Sequence, residues 1–235
     1  MPARSSALAR TAALLGDPAR AAMVDALLAG TPLPSGRLAE AAGVAPSTAS
    51  EHLARLVDGG LLVVERHGRE RRYALAGPEV AAAVEALGTL AGPERPASTL
   101  RAVSRMDSMR AARTCYDHLA GRLGVALTER LVADGWLVDG DGGWAVGARG
   151  ARGFAGLGID VDALRALRRP LTRQCIDWTE RSPHLAGALG AALATRAVEL
   201  GWVERVPADR WLRVTAEGRR ALATTFALPP AALTA

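Results

Sequence analysis

Residues 15–75 decide the fold of the N-terminal part of this 235-residue chain. They include LGDPARAAMVDALLAG at 15–30, LAEAAGVAPSTASEHLARLVDGGLL at 38–62 and VVERHGRERRYAL at 63–75. These segments predict a helix, a helix-turn-helix pair and a two-stranded hairpin whose tip is rich in arginine. An α-helix fits the major groove of B-DNA, and a basic hairpin beside it reaches phosphates or the minor groove. The pattern is typical of a DNA-docking unit.

Local signals set the ends of the helices. Residues 5–15 predict a short helix, and Asp17-Pro18 begins the next one with an N-cap acceptor followed by proline at the first helical position. Ser35 is expected to cap a helix that stops at Gly43. Residues 79–90 predict a further helix that is apolar on every side, which is typical of burial between elements or across a subunit boundary.

The second helix of the pair is the candidate recognition helix. Ala45 is a poor N-cap, but Pro46 preorganises the first turn, and a glycine pair at 59–60 ends the helix. An apolar stripe defines its buried face: Ala49, Leu53 and Leu56. The opposite face carries polar groups suited to phosphates and base edges. The predicted DNA contacts on this helix are Ser47, Thr48, Ser50, His52 and Arg55.

The hairpin is predicted from strands at 61–65 and 71–75. Its tip holds four arginines in seven residues. A run of charge is commonly a solvated loop, but directly after a helix-turn-helix it lies where the DNA backbone is expected. The predicted contacts here are Arg66, Arg69, Arg71 and Arg72.

Composition limits the class of protein. Almost half of the residues are apolar, so a packed core is expected, and no segment reads as a signal peptide or membrane span. We expect a cytoplasmic protein without membrane association. The net charge of +5 lies wholly in residues 93–235, with twenty arginines against fifteen acidic residues, whereas residues 1–92 contain nine of each. DNA affinity in the first half must therefore come from local clustering.

The second half contains an internal repeat. Residues 118–136 align without gaps on residues 184–202, and 12 of the 19 positions are identical. Each copy predicts a helix ending at Gly-Trp, a short hairpin and another helix, and each is preceded by Arg-x-Cys-x-Asp. The expected fold is mainly α with small β-hairpins. A winged helix-turn-helix domain at 1–92 and a linker at 93–97 precede a pseudo-symmetric α+β domain at 98–235, built from two helix–hairpin–helix repeats. A long helical stretch is expected to start at Ser98 and to include Arg113.

The N-terminal motifs resemble the ArsR/SmtB winged-helix repressors. The resemblance rests on LGDPAR at 15–20, LAEAAGV at 38–44, STASEHLARL at 47–56 and GLL at 60–62, and it covers roughly residues 8–90. It implies a homodimer built from the first and last helices of that domain, bound to a near-palindromic double-stranded operator and released by an inducer. The familiar metal sites of that family have thiolate or imidazole ligands in two of the helices. The corresponding segments here, LPSGRLAE and EVAAAVEALGTL, contain neither cysteine nor histidine, so any sensing is expected in the second half.

Two kinds of effector site are open in that half. Two cysteines and two histidines would close a tetrahedral zinc site if the repeats face each other, although Cys-x2-His and Cys-x8-His are weak spacings. These residues are Cys115, His118, Cys175 and His184. Structural roles or a thiol switch are the alternatives. A pocket for a small organic effector is the second kind, because all five tryptophans lie here, although Trp136 and Trp202 are equally expected to fill the core. Its candidate residues are Tyr116, Asp117, Asp177, Trp178, Glu180 and Arg181.

These patterns favour a sequence-specific transcriptional regulator, with repression expected over activation, that senses its effector through the second half. An architectural DNA-binding protein without an inducer is the main alternative. A Cys/His-dependent enzyme is less favoured, because the chain lacks the phosphate-loop, dinucleotide, zinc-protease and serine-hydrolase motifs.

Overall fold

The computed structural model describes residues 2–68, 70–91, 99–141, 143–207 and 209–234. Two compact units divide the chain, Met1–Val84 and Glu85–Ala235, called here the first and second units. None of the helices in the described ranges has both the length and the apolarity needed to cross a membrane. The predicted linker at 93–97 lies outside the described residues.

Four helices form the body of the first unit. They are α1 (Pro2–Leu15), α2 (Pro18–Leu27), α3 (Ser35–Ala42) and α4 (Pro46–Asp58). The side chain of Asp17 accepts a hydrogen bond from the amide of Arg20, which confirms the predicted N-cap. Ser35 is instead the first helical residue of α3, after an N-cap at Pro34, and the helix stops at left-handed Gly43 as predicted.

The wing is a three-stranded antiparallel sheet with the order β1-β3-β2. Its strands are β1 (Leu33–Pro34), β2 (Leu62–His67) and β3 (Glu70–Leu75). The hairpin strands are thus longer at the tip than predicted, so that Arg66 belongs to a strand and not to a loop. The predicted inward face of α4 is fully buried at Ala49, Leu53 and Leu56, and α4 contacts α2, α3 and β2.

Helix α5 (Pro78–Leu90) begins in the first unit and ends in the second. In the single chain it is not buried on every side, since Leu87 is 50% and Leu90 is 82% exposed. A residue on another face of α5, Glu85, is buried as the partner of Arg210.

The second unit repeats one order of elements. After α6 (Leu100–Ala111) come the hairpin β4 (Arg113–Cys115) and β5 (His118–Ala120), helix α7 (Gly121–Ala133), the hairpin β6 (Leu137–Gly140) and β7 (Gly143–Val146), and α8 (Ala148–Gly156). The short α9 (Val161–Arg165) follows. Then come β8 (Arg173–Ile176), β9 (Pro183–Ala186), α10 (Gly187–Glu199), β10 (Val203–Arg205), β11 (Leu212–Val214), α11 (Ala216–Phe226) and a 3-10 turn at Pro230–Ala232.

Two features of this unit differ from the sequence prediction. A hairpin precedes α7 and another precedes α10, so that each copy contains one more hairpin than expected. The helix expected to include Arg113 ends at Ala111, and Arg113 lies in β4 with its side chain fully buried. The physical reason is an ion pair with Asp177, which lies 64 positions away and holds the guanidinium inside the unit.

One apolar core joins both copies. Leu123 and Leu127 of α7 belong to the same buried cluster as Leu189 and Leu193 of α10. The rings of Trp136 and Phe226 meet edge to face with centroids 5.4 Å apart, and Trp202 meets Phe226 at 6.3 Å. The prediction that these tryptophans fill the core is confirmed for Trp202, whereas Trp136 is partly buried and packs against the core.

Candidate nucleic-acid interface and cysteine-histidine cluster

The outer face of α4 is polar and open to solvent. Ser47, Thr48, Ser50 and Arg55 are all exposed. The hydroxyl of Ser50 donates to the carbonyl of Pro46 at 2.9 Å. Among the described residues no side chain caps the N-terminus of α4, where Ala45 is the N-cap and Pro46 the first helical residue. Free amides and the positive end of the helix dipole therefore remain available for an anion.

His52 departs from the prediction that it faces DNA together with Arg55. Its ring is only 15% exposed, and its Nδ1 lies 3.5 Å from Arg20 and 3.7 Å from Asp17. Arg20 is itself buried and donates to the last carbonyls of α1, at 2.6 Å to Leu14 and 2.8 Å to Ala13. In this conformation His52 connects α4 to the end of α1. The buried role of Arg20 is not predictable from the sequence, since nothing local marks this side chain as buried.

The wing places two arginines side by side. Arg66 and Arg71 are directly opposite each other in the β2–β3 register, and both are exposed. Like charges in such a pair destabilise a hairpin unless an anion lies between or beside them. Arg72 is partly neutralised, because its Nε donates to Glu70 at 2.7 Å. Arg69 lies outside the described residues.

The second unit gathers two cysteines and two histidines. They are Cys115, His118, Cys175 and His184, called here the Cys/His cluster, and all four are buried. Cys115 pairs with His118 across the β4–β5 hairpin, and Cys175 pairs with His184 across the β8–β9 hairpin. Residues opposite each other in a hairpin present their side chains on one face. Each hairpin therefore supplies one cysteine and one histidine.

The ligand atoms of the cluster lie close together. The two sulfur atoms are 3.7 Å apart, the Nε2 atoms of His118 and His184 are 3.2 Å apart, and all four ligand atoms lie within 4.8 Å of one another. The rings of the two histidines stack with centroids 5.0 Å apart. Both cysteines are free thiols.

Hydrogen bonds within the cluster set its protonation. The thiol of Cys115 and then the two imidazoles hold the pKa of Cys175 far below its usual range, against the effect of burial. The same contact with Cys175, together with burial, raises the pKa of Cys115. One thiolate is thus stabilised by its three neighbours.

Asp117 orients His118. Its Oδ1 lies 3.2 Å from Nδ1 of His118, and its Oδ2 accepts a hydrogen bond from Arg169 at 2.7 Å. Burial alone would lower the pKa of His118, but the hydrogen bonds with Asp117 and Cys175 outweigh it and raise that pKa. Burial would raise the pKa of Asp117, yet its contacts with His118 and Arg169 lower it. The carboxylate therefore fixes the proton of His118 on Nδ1 and leaves Nε2 facing the cluster.

Asp177 differs from the expectation that it serves a ligand. Its side chain is fully buried. Oδ2 accepts from Arg113 at 2.8 Å and from the amide of Gly121 at 2.7 Å, and Oδ1 accepts from the amides of Thr179 and Glu180 and from the Thr179 hydroxyl. Burial opposes its charge, but Arg113 and these donors hold the pKa of Asp177 well below its usual range. The carboxylate thus joins the β8–β9 loop to β4 and caps α7.

Three of the other predicted effector residues lie in the same β8–β9 loop, whereas Tyr116 lies in the turn between β4 and β5. Trp178 is half-buried, and its ring stacks under the guanidinium of Arg113 with Cζ 4.9 Å from the centroid. Tyr116 and Glu180 are half-buried, whereas Arg181 is exposed. Tyr116 and Arg181 have positive φ angles of 60° and 54°. A cavity of about 220 Å³ lies elsewhere in the unit and is lined by residues of α6, β11 and α11. A pocket formed by the predicted residues stays a prediction.

Comparison with known proteins identifies relatives of this chain. A helix-turn-helix domain model matches residues 15–65. The chain is 41% identical over 212 residues to the HTH-type transcriptional regulator YdfF of Bacillus subtilis, an alignment that covers 90% of this chain and 93% of that protein. It is 44% identical over 81 residues to the HTH-type transcriptional regulator CmtR of Mycobacterium tuberculosis, which covers 34% of this chain and 68% of CmtR.

A solved structure shows a similar N-terminal part. It is the homodimeric winged helix-turn-helix domain of Mb0332 from Mycobacterium bovis, described as a possible ArsR-family transcriptional regulator. It is 31% identical and covers 38% of this chain and 82% of that one, with a TM-score of 0.36. Both sequence relatives are named as transcriptional regulators and not as enzymes. With 93% of YdfF aligned, and with the helices and wing described above, the chain belongs to the HTH-type transcriptional regulators and carries a winged helix-turn-helix.

Proposed function

We propose that the protein is a homodimeric repressor that binds a near-palindromic operator and is released by an effector sensed in the second unit. The proposed DNA contacts on α4 are Ser47, Thr48, Ser50 and Arg55. On the wing they are Arg66, Arg71, Arg72 and, outside the described residues, Arg69. His52 is proposed to position α4 through its contacts with Arg20 and Asp17.

The exposed pair of Arg66 and Arg71 is the observation that carries the proposal. Two cationic side chains are held opposite each other on a hairpin that packs against α4. A folding requirement does not explain this pairing, because like charges at such positions weaken a hairpin. Phosphate groups along a duplex would neutralise both guanidinium groups at once and recover that cost.

The N-terminal end of α4 supports the same geometry. Small hydroxyl side chains at Ser47 and Thr48 surround an uncapped helix end. A recognition helix in the major groove presents its N-terminal residues to base edges and nearby phosphates. The longer Arg55, about two turns further along, is suited to guanine.

Exposed apolar side chains support the proposed dimer. Leu8 of α1 is 70% exposed, and Leu87 and Leu90 near the end of α5 are 50% and 82% exposed. These are the first and last helices of the domain that resembles ArsR/SmtB repressors, and the resemblance implies that they build the dimer. Burial of such side chains against a second copy removes apolar surface from water.

We also propose that residues 113–226 form a pseudo-symmetric pair of repeats. Support comes from the repeated order of elements and from matched glycines. A side chain at Gly150 of α8 would overlap the carbonyl of Trp136, and one at Gly218 of α11 would overlap the carbonyl of Trp202. Trp136 and Trp202 are equivalent positions of the two copies, so the same close approach occurs twice.

Effector sensing is assigned to the second unit for two reasons. The alignment with YdfF covers 90% of this chain and therefore reaches both units, whereas the alignment with CmtR covers only 34% of it. In addition, α5 continues from the first unit into the second, where Glu85 is paired with buried Arg210. A change in the second unit therefore has a covalent helical connection to the DNA-binding unit.

Equilibrium binding tests the proposal. Fluorescence anisotropy would compare a duplex from upstream of the protein's own gene with a scrambled duplex, at several salt concentrations. We expect the upstream duplex to bind at least about 10³-fold more tightly. Arg66→Ala and Arg71→Ala should each weaken binding to both duplexes and reduce the slope of log K against log[salt] by about 0.9.

Arg220→Ala is the matched control. Arg220 is 70% exposed and paired with Glu217 on α11 of the second unit, so its removal takes away an equal charge far from the proposed contacts in sequence. We expect its salt slope to equal that of the wild type. Equal affinity for the two duplexes would contradict a repressor and favour an architectural DNA-binding protein. A normal salt slope in the wing variants would exclude the wing from the interface.

A further inference from the structure

The Cys/His cluster brings four potential metal ligands together from two separate hairpins. We propose that this cluster is a tetrahedral zinc site that ties the β4–β5 hairpin to the β8–β9 hairpin. The inference does not depend on the proposed repressor function, because zinc binding is measured without DNA.

The distances match those of a tetrahedral zinc site. With Zn–S near 2.3 Å and Zn–N near 2.0–2.1 Å, tetrahedral geometry places two sulfur ligands about 3.8 Å apart and two nitrogen ligands about 3.3 Å apart. The sulfur atoms of Cys115 and Cys175 are 3.7 Å apart, and the two Nε2 atoms are 3.2 Å apart. The largest separation within the cluster is below 4.8 Å, so shifts of about 1 Å in side chains would complete the tetrahedron.

The hairpin register explains how irregular sequence spacings produce a regular site. Two residues separate Cys115 from His118, and eight separate Cys175 from His184. In both hairpins the cysteine and the histidine are nevertheless direct cross-strand partners. The longer second loop changes only the connection, so each hairpin presents the same pair of ligands.

The surroundings of His118 are those of a zinc ligand. Metal-binding histidines usually donate their second N–H to a carboxylate, which fixes the ring and its tautomer. Asp117 holds Nδ1 of His118 in this way and is itself held by Arg169. The Nε2 atom is thereby aimed at His184 and the two sulfur atoms.

Charge and burial favour an ion over protons alone. Four lone-pair atoms in a buried space repel one another unless protons or a cation lie among them. Two thiolates and two neutral imidazoles would balance the charge of Zn²⁺, so no net charge would be left in the interior. Because the ligands are buried and number four, the site is closed and its role is to hold the hairpins together.

A disulfide is the main competing use of the two cysteines. A disulfide requires the sulfur atoms to approach to about 2.05 Å, and it gives the two buried imidazoles no role. The observed separation of 3.7 Å is instead that of two ligands of one ion. The alternative outcomes of the test therefore include a disulfide and simple core packing of the cysteines with Ala120 and Ala186.

Metal content and cobalt spectroscopy test the proposal on the full chain. Protein produced with zinc present should retain one zinc ion per chain by elemental analysis. Protein stripped with a chelator and titrated with Co²⁺ should show the intense visible bands of tetrahedral cobalt and a thiolate-to-cobalt charge-transfer band. Cys175→Ser and His184→Gln should lose these bands, and Asp117→Asn should bind zinc about 10–100-fold more weakly.

His67→Gln is the matched control, since His67 is exposed on the wing, and it should bind zinc as the wild type does. If the ligand variants fail to fold, the stripped wild type decides the question, because zinc must raise its melting temperature progressively with concentration. No retained zinc and no zinc-dependent shift would overturn the proposal. A metal-free chain whose mass shows loss of two hydrogens would establish a disulfide instead.

Discussion

The buried ion pair between Asp177 and Arg113 makes a quantitative prediction about the second unit. Five donors converge on the two carboxylate oxygens of Asp177, and both charged side chains are fully buried. Asp177→Asn keeps the shape but replaces one oxygen with an amide that faces donors. The guanidinium of Arg113 is then left buried without its counter-ion, although the ring of Trp178 still lies against it.

Removal of one partner of a buried ion pair costs about 3–5 kcal/mol. For a unit of this size, each kcal/mol lowers the melting temperature by about 2–4 °C, so Asp177→Asn should lower it by about 6–20 °C. Intrinsic tryptophan fluorescence is the appropriate assay, because all five tryptophans belong to the second unit. The melt therefore reports this unit within the full chain.

Asp134→Asn is the control for this experiment. Asp134 accepts two hydrogen bonds from Arg130 one helical turn away, but both side chains are partly exposed. Its loss should cost less than about 1 kcal/mol. The reasoning is refuted if Asp177→Asn melts within 3 °C of Asp134→Asn, on the scale of about 2–4 °C per kcal/mol, with and without a zinc chelator. That result would return Asp177 to the set of candidate effector ligands.

Two further predictions concern packing and capping. A Cβ at Gly190 would lie 2.5 Å from the carbonyl oxygen of Leu185, so Gly190→Ala should destabilise the second unit by about 1–3 kcal/mol in urea unfolding. Gly156→Ala is the control, because a Cβ there meets nothing within 4 Å, and it should be neutral or slightly stabilising. An equal loss of unfolding free energy in the two variants would refute the packing argument. The amide of Arg20 lowers the pKa of the N-cap Asp17 in the folded chain. The cap therefore stabilises the fold fully above the unfolded pKa of about 3.9, and this stabilisation is lost as the pH falls through the lower pKa of the folded state. In acid melts followed by circular dichroism, Asp17→Asn should keep the cap and lose less stability than the wild type below about pH 4, and parallel curves would contradict this.

The helix-turn-helix was predictable because its signals are local. The cap at Asp17, the proline at Pro46 and the left-handed Gly43 act within a few residues of the helix ends that they define. The apolar stripe of α4 follows directly from helical periodicity. The polar face of α4, the wing and the family resemblance could therefore be predicted from the sequence alone.

The two hairpins that hold the Cys/His cluster have weaker signals. Strands of three or four residues show little alternation, and the turn between Cys115 and His118 uses Tyr116 at a positive φ of 60° where a hairpin signal would normally be glycine or asparagine. The sequence predicts a helix through Arg113, because nothing near this residue indicates a buried ion pair. Its partner Asp177 lies far away in the sequence. Cross-strand pairing brings these four side chains together from sequence spacings that are only weakly typical of a metal site.

The six-residue insertion in the second copy gives the repeated aspartates different roles. In the first copy the short turn keeps Asp117 beside His118, where the carboxylate orients the ring. In the second copy the longer loop lets Asp177 reach Arg113 and the start of α7. His184 consequently lacks the equivalent carboxylate, and its buried Nδ1 has no hydrogen-bond partner among the described residues. The ring of His184 is therefore held only through its stacking on His118 and its contacts at Nε2, so in the proposed zinc site His184 would be the ligand most dependent on the ion for its orientation.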